Sequence, residues 1–205
     1  FISNVGEMFG EEDTLVACAD YVLGKTPGNT VSNMSSSRAL RDITEKHGGK
    51  YQASAVGEVN VVDLMKSTNA IIGGEGNGGI IYPESHYGRD SLVGVALFLT
   101  HLASLDMTVA ELRASYPQYF MSKNKIELTP QIDVDAILKA MTEKYGKEDI
   151  TTIDGVKIDF STEWVHLRKS NTEPIIRIYT EAPTQKEADV LAERFVNEIK
   201  TIAGI

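Results

Sequence analysis

Trp164-Val165-His166-Leu167-Arg168-Lys169-Ser170-Asn171-Thr172-Glu173-Pro174-Ile175-Ile176-Arg177-Ile178-Tyr179 reads as two short strand-like runs joined by a polar turn. Apolar and β-branched residues on either side of a Ser-Asn-Thr cluster are the pattern of a hairpin. Arg168 and Arg177 bracket a turn that carries two hydroxyls, Ser170 and Thr172, and one amide, Asn171. A phosphate dianion asks for that inventory, because a guanidinium grips two oxygens at once and hydroxyls and backbone N–H groups take the remaining lone pairs. Pro174 stiffens the exit by fixing its own φ. By residue type alone the stretch also suits a plain polar loop with its arginines in water, since Ser, Asn and Thr are ordinary turn formers.

Working outward, the C-terminal half separates strands from helices. Tyr119 to Leu128 reads as a connecting strand after a boundary at Pro117, and Asp133 to Tyr145 as a helix with Ile137, Leu138, Met141 and Tyr145 on one side. Asp154-Gly155 is the favoured pair of a two-residue type I′ hairpin between Thr152-Ile153 and Val156-Lys157-Ile158. Thr184-Gln185-Lys186-Glu187 is a capping box opening a last helix with Ala188, Leu191, Ala192, Phe195, Ile199 and Ile202 in register. Segregated strands and helices predict an α+β domain with an antiparallel sheet over residues 118–205.

The N-terminal half alternates instead. Glu11 to Leu23 is a helix with acids in its first turn and Gly24 as a stop. Thr30 to Met34 is a weak strand, Ser37 to Lys46 a helix, Lys50 to Val56 an alternating strand and Val59 to Lys66 a short helix. Ala70-Ile71-Ile72 and Ile80-Ile81-Tyr82 are short buried strands, Ser91 to Leu105 is a long helix, and Thr108-Val109-Ala110-Glu111 is another capping box. That order predicts a layered α/β domain over residues 11–117, with one antiparallel strand after the glycine-rich loop. Phe1-Ile2-Ser3 reads as the middle of a strand, and residues 1–10 as a remnant of a preceding domain, so the sequence is expected to be a fragment of a longer protein.

The 205 residues are 42% hydrophobic and 24% charged, an ordinary globular balance. A net charge of -9 argues against nucleic acid and against an anionic membrane as partners, so a basic anion site must be local and suits a small ligand. The single cysteine, Cys18, cannot form an internal disulfide, which fits a reducing, cytoplasmic compartment. No apolar run approaches transmembrane length and no secretory signal is visible. Histidines 47, 86, 101 and 166 show no paired metal spacing, and the carboxylates form no evident metal cluster.

Gly73-Gly74-Glu75-Gly76-Asn77-Gly78-Gly79 joins two apolar strands. It contains a formal G-x-G-x-x-G, but a dinucleotide fingerprint needs a helix next, and Ile80-Ile81-Tyr82-Pro83 cannot start one. A glycine hairpin and a sugar site both fit. Glycines let a ring approach the backbone closely, and a carboxylate such as Glu75 accepts hydrogen bonds from two neighbouring hydroxyls.

The run R-x-S-N-T-E-P-x-x-R from Arg168 to Arg177 resembles the phosphate-binding loop in the last domain of the α-D-phosphohexomutases, the family of phosphoglucomutase, phosphomannomutase and phosphoglucosamine mutase. The glycine loop is similar to that family's sugar-recognition loop, in which the Glu and the residue two later bind the hexose. Many members have Ser there; this chain has Asn77. Ser37-Arg38-Ala39-Leu40 resembles the start of an inner helix of the same domain, and Tyr87-Gly88-Arg89-Asp90 recurs before the long helix, where Asp90 reads as a cap and Arg89 as a residue near the substrate. Gly57-Glu58 falls where many members have Thr-Gly-His, and Ser35 where many carry a substrate-contacting Lys.

The resemblance spans the whole chain as the third and fourth domains of a four-domain mutase, the fourth TBP-like. It implies an isomerase that interconverts hexose 1-phosphate and 6-phosphate through an enzyme phosphoserine and a bisphosphate intermediate of the glucose 1,6-bisphosphate type. It implies sugar binding by Gly57, Glu58, Glu75, Gly76 and Asn77, and phosphate binding by Arg168, Ser170, Asn171, Thr172 and Arg177. Mg²⁺ and the phosphoserine belong to the absent N-terminal domains, the implied partners of this half, so the fragment alone is expected to be inactive with no catalytic or metal residue of its own. The Glu75–Asn77 version leans toward phosphoglucosamine or glucose phosphates. A non-catalytic sugar-phosphate-binding module, or a scaffold with two structural turns, are the alternatives.

Overall fold

The computed structural model describes residues 1–127, 132–170 and 175–205, in two compact units, Phe1–Gln118 and Tyr119–Ile205.

The first unit runs α1 (Glu11–Lys25), β1 (Asn29–Asn33), α2 (Ala39–Lys46), β2 (Tyr51–Ser54), α3 (Glu58–Thr68), β3 (Ala70–Glu75), β4 (Gly79–Tyr82), β5 (His86–Arg89), α4 (Ser91–Leu105) and α5 (Val109–Ala114). Its sheet has the order β2-β1-β3-β4-β5. The first three strands are mutually parallel, β4 runs antiparallel to them, and β5, antiparallel to β4, returns to their direction. Only β4 therefore runs against the other four strands, the one antiparallel strand expected after the glycine loop, and β5 is an additional strand. His86-Tyr87-Gly88-Arg89 escaped notice because this edge strand is mostly exposed and lacks the alternation a half-buried strand shows.

Helices cover both faces of that sheet. A Cβ added to Gly73 would meet Met65 of α3, whereas one added to its neighbour Gly74 would meet Leu15 of α1. Successive strand residues point to opposite faces, so α1 and α3 sandwich β3. Local chemistry sets the helix ends. Glu11, Glu12 and Asp13 crowd the first turn of α1 and Lys25 its last, as the helix dipole favours. Asp90 caps α4 by accepting from the N–H groups of Leu92 and Val93 at 2.8 and 3.0 Å. The second helix starts at Ala39 rather than Ser37, with Arg38 before it, and the Ser37 hydroxyl accepts from the Ala39 N–H at 3.1 Å. Phe1 to Ser3 is no strand interior; Ile2 makes one isolated bridge to Met8, and the Phe1 ring stacks on Phe98 of α4.

The second unit runs β6 (Phe120–Glu127), α6 (Val134–Lys144), β7 (Asp149–Thr151), β8 (Val156–Asp159), β9 (Trp164–Lys169), β10 (Ile175–Ala182) and α7 (Gln185–Ala203). The strands form an all-antiparallel sheet ordered β6-β10-β9-β8-β7. Ile126, Val165, Leu167, Ile176 and Ile178 pack on one face with Ile137, Met141, Leu191 and Phe195 from the two helices. The β7–β8 turn is longer than the two-residue I′ form expected, since its last pair is Thr151↔Lys157; Gly155 supplies the positive φ of 75°.

Candidate functional site

In the first unit, the glycine stretch is a hairpin, with Glu75 paired to Gly79 around the three-residue loop Gly76-Asn77-Gly78. Gly78 has φ 80°, the left-handed position such loops require. The Asn77 side-chain oxygen accepts from the Gly79 N–H at 3.1 Å and pins the turn. Glu75, the last residue of β3, is only 7% exposed. Burying a carboxylate is costly unless its oxygens are satisfied. Here Asn33 Nδ2 donates to Oε1 at 2.9 Å, and Arg89 Nη1 lies 3.2 Å from Oε2.

Asn33 is itself fixed. Its Oδ1 accepts from the Ser35 N–H at 2.9 Å and the Ser36 hydroxyl at 3.1 Å, and Ser36 Oγ accepts from the Gly76 N–H at 3.0 Å. Glu75 and the backbone that follows it thus belong to one hydrogen-bonded loop closed through the end of β1. A carboxylate offers about four acceptor positions. With one protein donor on each oxygen, both keep a lone pair for a ligand hydroxyl. At Gly76 a side chain would run into the Glu12 carboxylate, which also accepts from the Ser37 N–H at 2.8 Å.

Gly57, at φ 121°, precedes α3, and Glu58 is its first residue. Glu58 is occupied by Arg89, accepting from its backbone N–H at 3.0 Å and from Nε at 2.9 Å. Those bonds from Arg89 hold the Glu58 carboxyl below the usual carboxylate range. Glu58 therefore connects to Glu75 through a guanidinium. Arg38, at the start of α2, is buried.

In the second unit, β9 and β10 bring Arg168 and Arg177 directly opposite each other, and Arg177 is opposite Lys125 on β6. Directly paired residues of an antiparallel sheet share a face, and these cations sit on the side away from Leu167, Ile176 and Ile178. Three cations in one row are unfavourable without anions. Asp154 meets Arg168, with Nε 3.0 and 3.1 Å from its carboxylate oxygens, and Glu127 meets Lys125 at 3.0 Å. Among the described residues no carboxylate pairs with the central Arg177. Beside Arg168, burial pushes His166 down to about 4, so it is neutral near pH 7, and its Nε2 lies 2.6 Å from the Asp154 carbonyl oxygen. The Ser170 N–H donates to the Ile175 carbonyl at 3.0 Å and closes the base of the loop. Asn171 and Thr172 lie outside the described residues.

Sequence reasoning missed Asn33, Ser36, Lys125 and Asp154. An Asn ending a strand whose own signal was weak gave no cue, and Lys125 joins the row only through strand register. Among the described residues no group of three or more His, Cys, Asp or Glu could hold a metal ion, and no helix is long and apolar enough to cross a membrane.

Residues 11–119 match the family model described as phosphoglucomutase/phosphomannomutase, alpha/beta/alpha domain III, and residues 124–198 match the C-terminal domain of the same family. The chain is 37% identical over 174 residues to a phosphoglucosamine/phosphogalactosamine mutase of Sulfurisphaera tokodaii, covering 84% of this chain and 37% of that protein. It is 35% identical over 191 residues to a phosphoglucomutase/phosphomannomutase of Thermococcus kodakarensis, covering 92% of this chain and 41% of that one. The crystal structure of a phosphoglucomutase/phosphomannomutase family protein from Burkholderia thailandensis superposes with a TM-score of 0.81 at 21% identity, over 98% of this chain and 43% of that one, and shows a shared fold. The chain thus spans less than half the length of these relatives. Two consecutive domain matches of one family, over a fold that superposes on a family member, establish that the chain belongs to the phosphoglucomutase/phosphomannomutase family and carries its third and C-terminal domains.

Proposed function

We propose that this chain is the C-terminal half of a phosphohexomutase that interconverts hexose 1-phosphate and hexose 6-phosphate. Its task is binding. Glu75, with Gly76, Asn77 and the Gly57–Glu58 turn, takes the sugar hydroxyls; Arg168, Ser170, Asn171, Thr172 and Arg177 take the phosphate that is not reacting. The N-terminal half supplies the phosphoserine and its Mg²⁺, and a glucose 1,6-bisphosphate-type intermediate reorients between the two transfers. The setting is cytoplasmic, in keeping with the free, buried thiol of Cys18.

One observation carries this reading. The Arg168–Arg177–Lys125 row aligns three like charges across neighbouring strands, an arrangement that a bound dianion would stabilise. The sugar half follows from Glu75. A carboxylate has two equivalent oxygens, so it can serve a hexose in either of two poses that exchange the ring's 3- and 4-hydroxyls. Positioning and charge neutralisation make up most of what phosphoryl transfer requires.

The test is coupled turnover of the full-length polypeptide on glucose, mannose and glucosamine phosphates side by side. The reading predicts mutase activity on at least one, with glucosamine or glucose phosphate preferred. A full-length protein that binds these sugars yet turns over none is instead a sugar-phosphate-binding module.

A further inference from the structure

We propose that Glu58 and Arg89 form a positioning pair, in which Glu58 fixes the Arg89 guanidinium and Arg89 in turn fixes the Glu75 carboxylate. This rests on the reading of Glu75 as the sugar-binding carboxylate. It adds to the place of Glu58 in the sugar-binding turn a role exerted through Arg89.

Three elements meet here. Glu58 opens α3, Arg89 ends β5, and Glu75 ends β3. The strand β4 lies between β3 and β5 in the sheet, so Arg89 must reach across it to touch Glu75. The β4 residue paired with Glu75 is Gly79. A Cβ at Gly79 would sit 2.5 Å from Arg89 Cδ, 3.0 Å from Asn77 Oδ1 and 3.1 Å from Arg89 Cγ, so the missing side chain is what opens the path. Glu58 holds Arg89 at both its backbone N–H and its Nε, at 3.0 and 2.9 Å, which leaves Nη1 aimed at Glu75 at 3.2 Å.

An exposed ion pair ordinarily contributes little. The Glu58–Arg89 pair is about 35% and 42% exposed, but the guanidinium continues to a buried carboxylate. Two carboxylates and one guanidinium give this trio a net charge of about -1. That charge favours hydroxyl donors and repels phosphate. The trio therefore fixes Glu75 and also sorts the ligand, so that its ring and not its anionic end lies here.

The experiment compares Glu58→Gln, Arg89→Gln, the double variant, Gly79→Ala and Glu75→Gln in the full-length polypeptide. KM and kcat for hexose 1-phosphate are measured beside the inhibition constant of inorganic phosphate, with thermal melting as a check on folding. Glu58→Gln and Arg89→Gln are each expected to raise KM about tenfold, the weight of one charge-assisted hydrogen bond, with phosphate inhibition unchanged. The double variant should resemble either single one, because both act through one contact. Gly79→Ala alters no charge and should reproduce the KM rise by displacing Arg89, which keeps the proposal testable if a charge variant fails to fold. An unchanged KM in Glu58→Gln and Gly79→Ala, alongside a raised KM in Glu75→Gln, overturns the positioning pair and leaves the sugar site standing. An unchanged KM in Glu75→Gln overturns both.

Discussion

Replacing Arg177 by Gln should separate binding from stability. Arg177 is flanked in register by Arg168 on one side and Lys125 on the other. Like charges directly opposite across a sheet cost roughly 0.2–1 kcal/mol per pair, and the outer two cations are already partly neutralised by Asp154 and Glu127. Removing the central charge should therefore leave stability unchanged or raise it by about 0.5 kcal/mol, a shift of a few degrees at most in melting temperature. A bound phosphate loses a charge-assisted contact of about 1.5–3 kcal/mol, which weakens binding roughly 10- to 150-fold. The loss should be the same for every phosphosugar, because this contact does not touch the ring. Calorimetric titration of the 205-residue chain with hexose 1-phosphate, beside thermal melts of the same samples, measures both. Arg168→Gln should cost more affinity, since it also removes the cation that offsets the Asp154 charge. The reasoning is refuted if Arg177→Gln binds hexose phosphate as tightly as the parent, or if it melts far below it.

Three further outcomes follow from the packing and charge of the first unit. Asp20 accepts from His47 at 2.7 Å, and its other oxygen lies 3.4 Å from His101 Nε2 and 3.3 Å from the Tyr116 hydroxyl. Burial opposes its charge, but the hydrogen bonds from His101 and His47 outweigh that and hold the carboxyl well below its usual 3.8. A depressed folded value stabilises above the unfolded one and is lost as pH falls through the folded value. Asp20→Asn should thus cost about 1–3 kcal/mol near pH 7 in urea titrations, a deficit that narrows as the pH drops below 3.8; a deficit constant at all pH would contradict this. Gly73→Ala places a Cβ 2.5 Å from the Val31 carbonyl oxygen and 2.6 Å from Met65 Sδ, and should lower stability by about 1–3 kcal/mol. A neutral effect in denaturant melts would show that β3 can shift. Burial pushes the Cys18 thiol up to about 12, so thiol reagents should label it only as fast as the domain unfolds, and rapid labelling of the native chain would be inconsistent with the packing.

Much of the fold was legible because its elements carry their own signals. The periodicity of Leu191, Phe195 and Ile199 in α7, the capping box at Thr108 and the cap at Asp90 each decide a helix locally. An exposed edge strand was not. The strand β5 depends on which neighbours cover it, and four residues at a time do not reveal that. The candidate site divides the same way. Glu75 stands out because glycines flank it, and the two arginines because a turn separates them. Asn33, Lys125 and Asp154 became partners only through pairing across strands and a turn. Contacts distant in sequence leave no local trace. Glu58 was legible as a position, but its bonds to Arg89, 31 residues away, were not.

The most direct measurement is amide NMR of the 205-residue chain titrated with glucose 1-phosphate and, separately, with inorganic phosphate. The hexose phosphate should shift amides of Glu75 to Gly79 and also those around Ser170 and Arg177, whereas phosphate alone should shift only the second set. A titration in which glucose 1-phosphate moves neither set, or in which phosphate moves the Glu75 loop first, would contradict a division of labour between ring and anion.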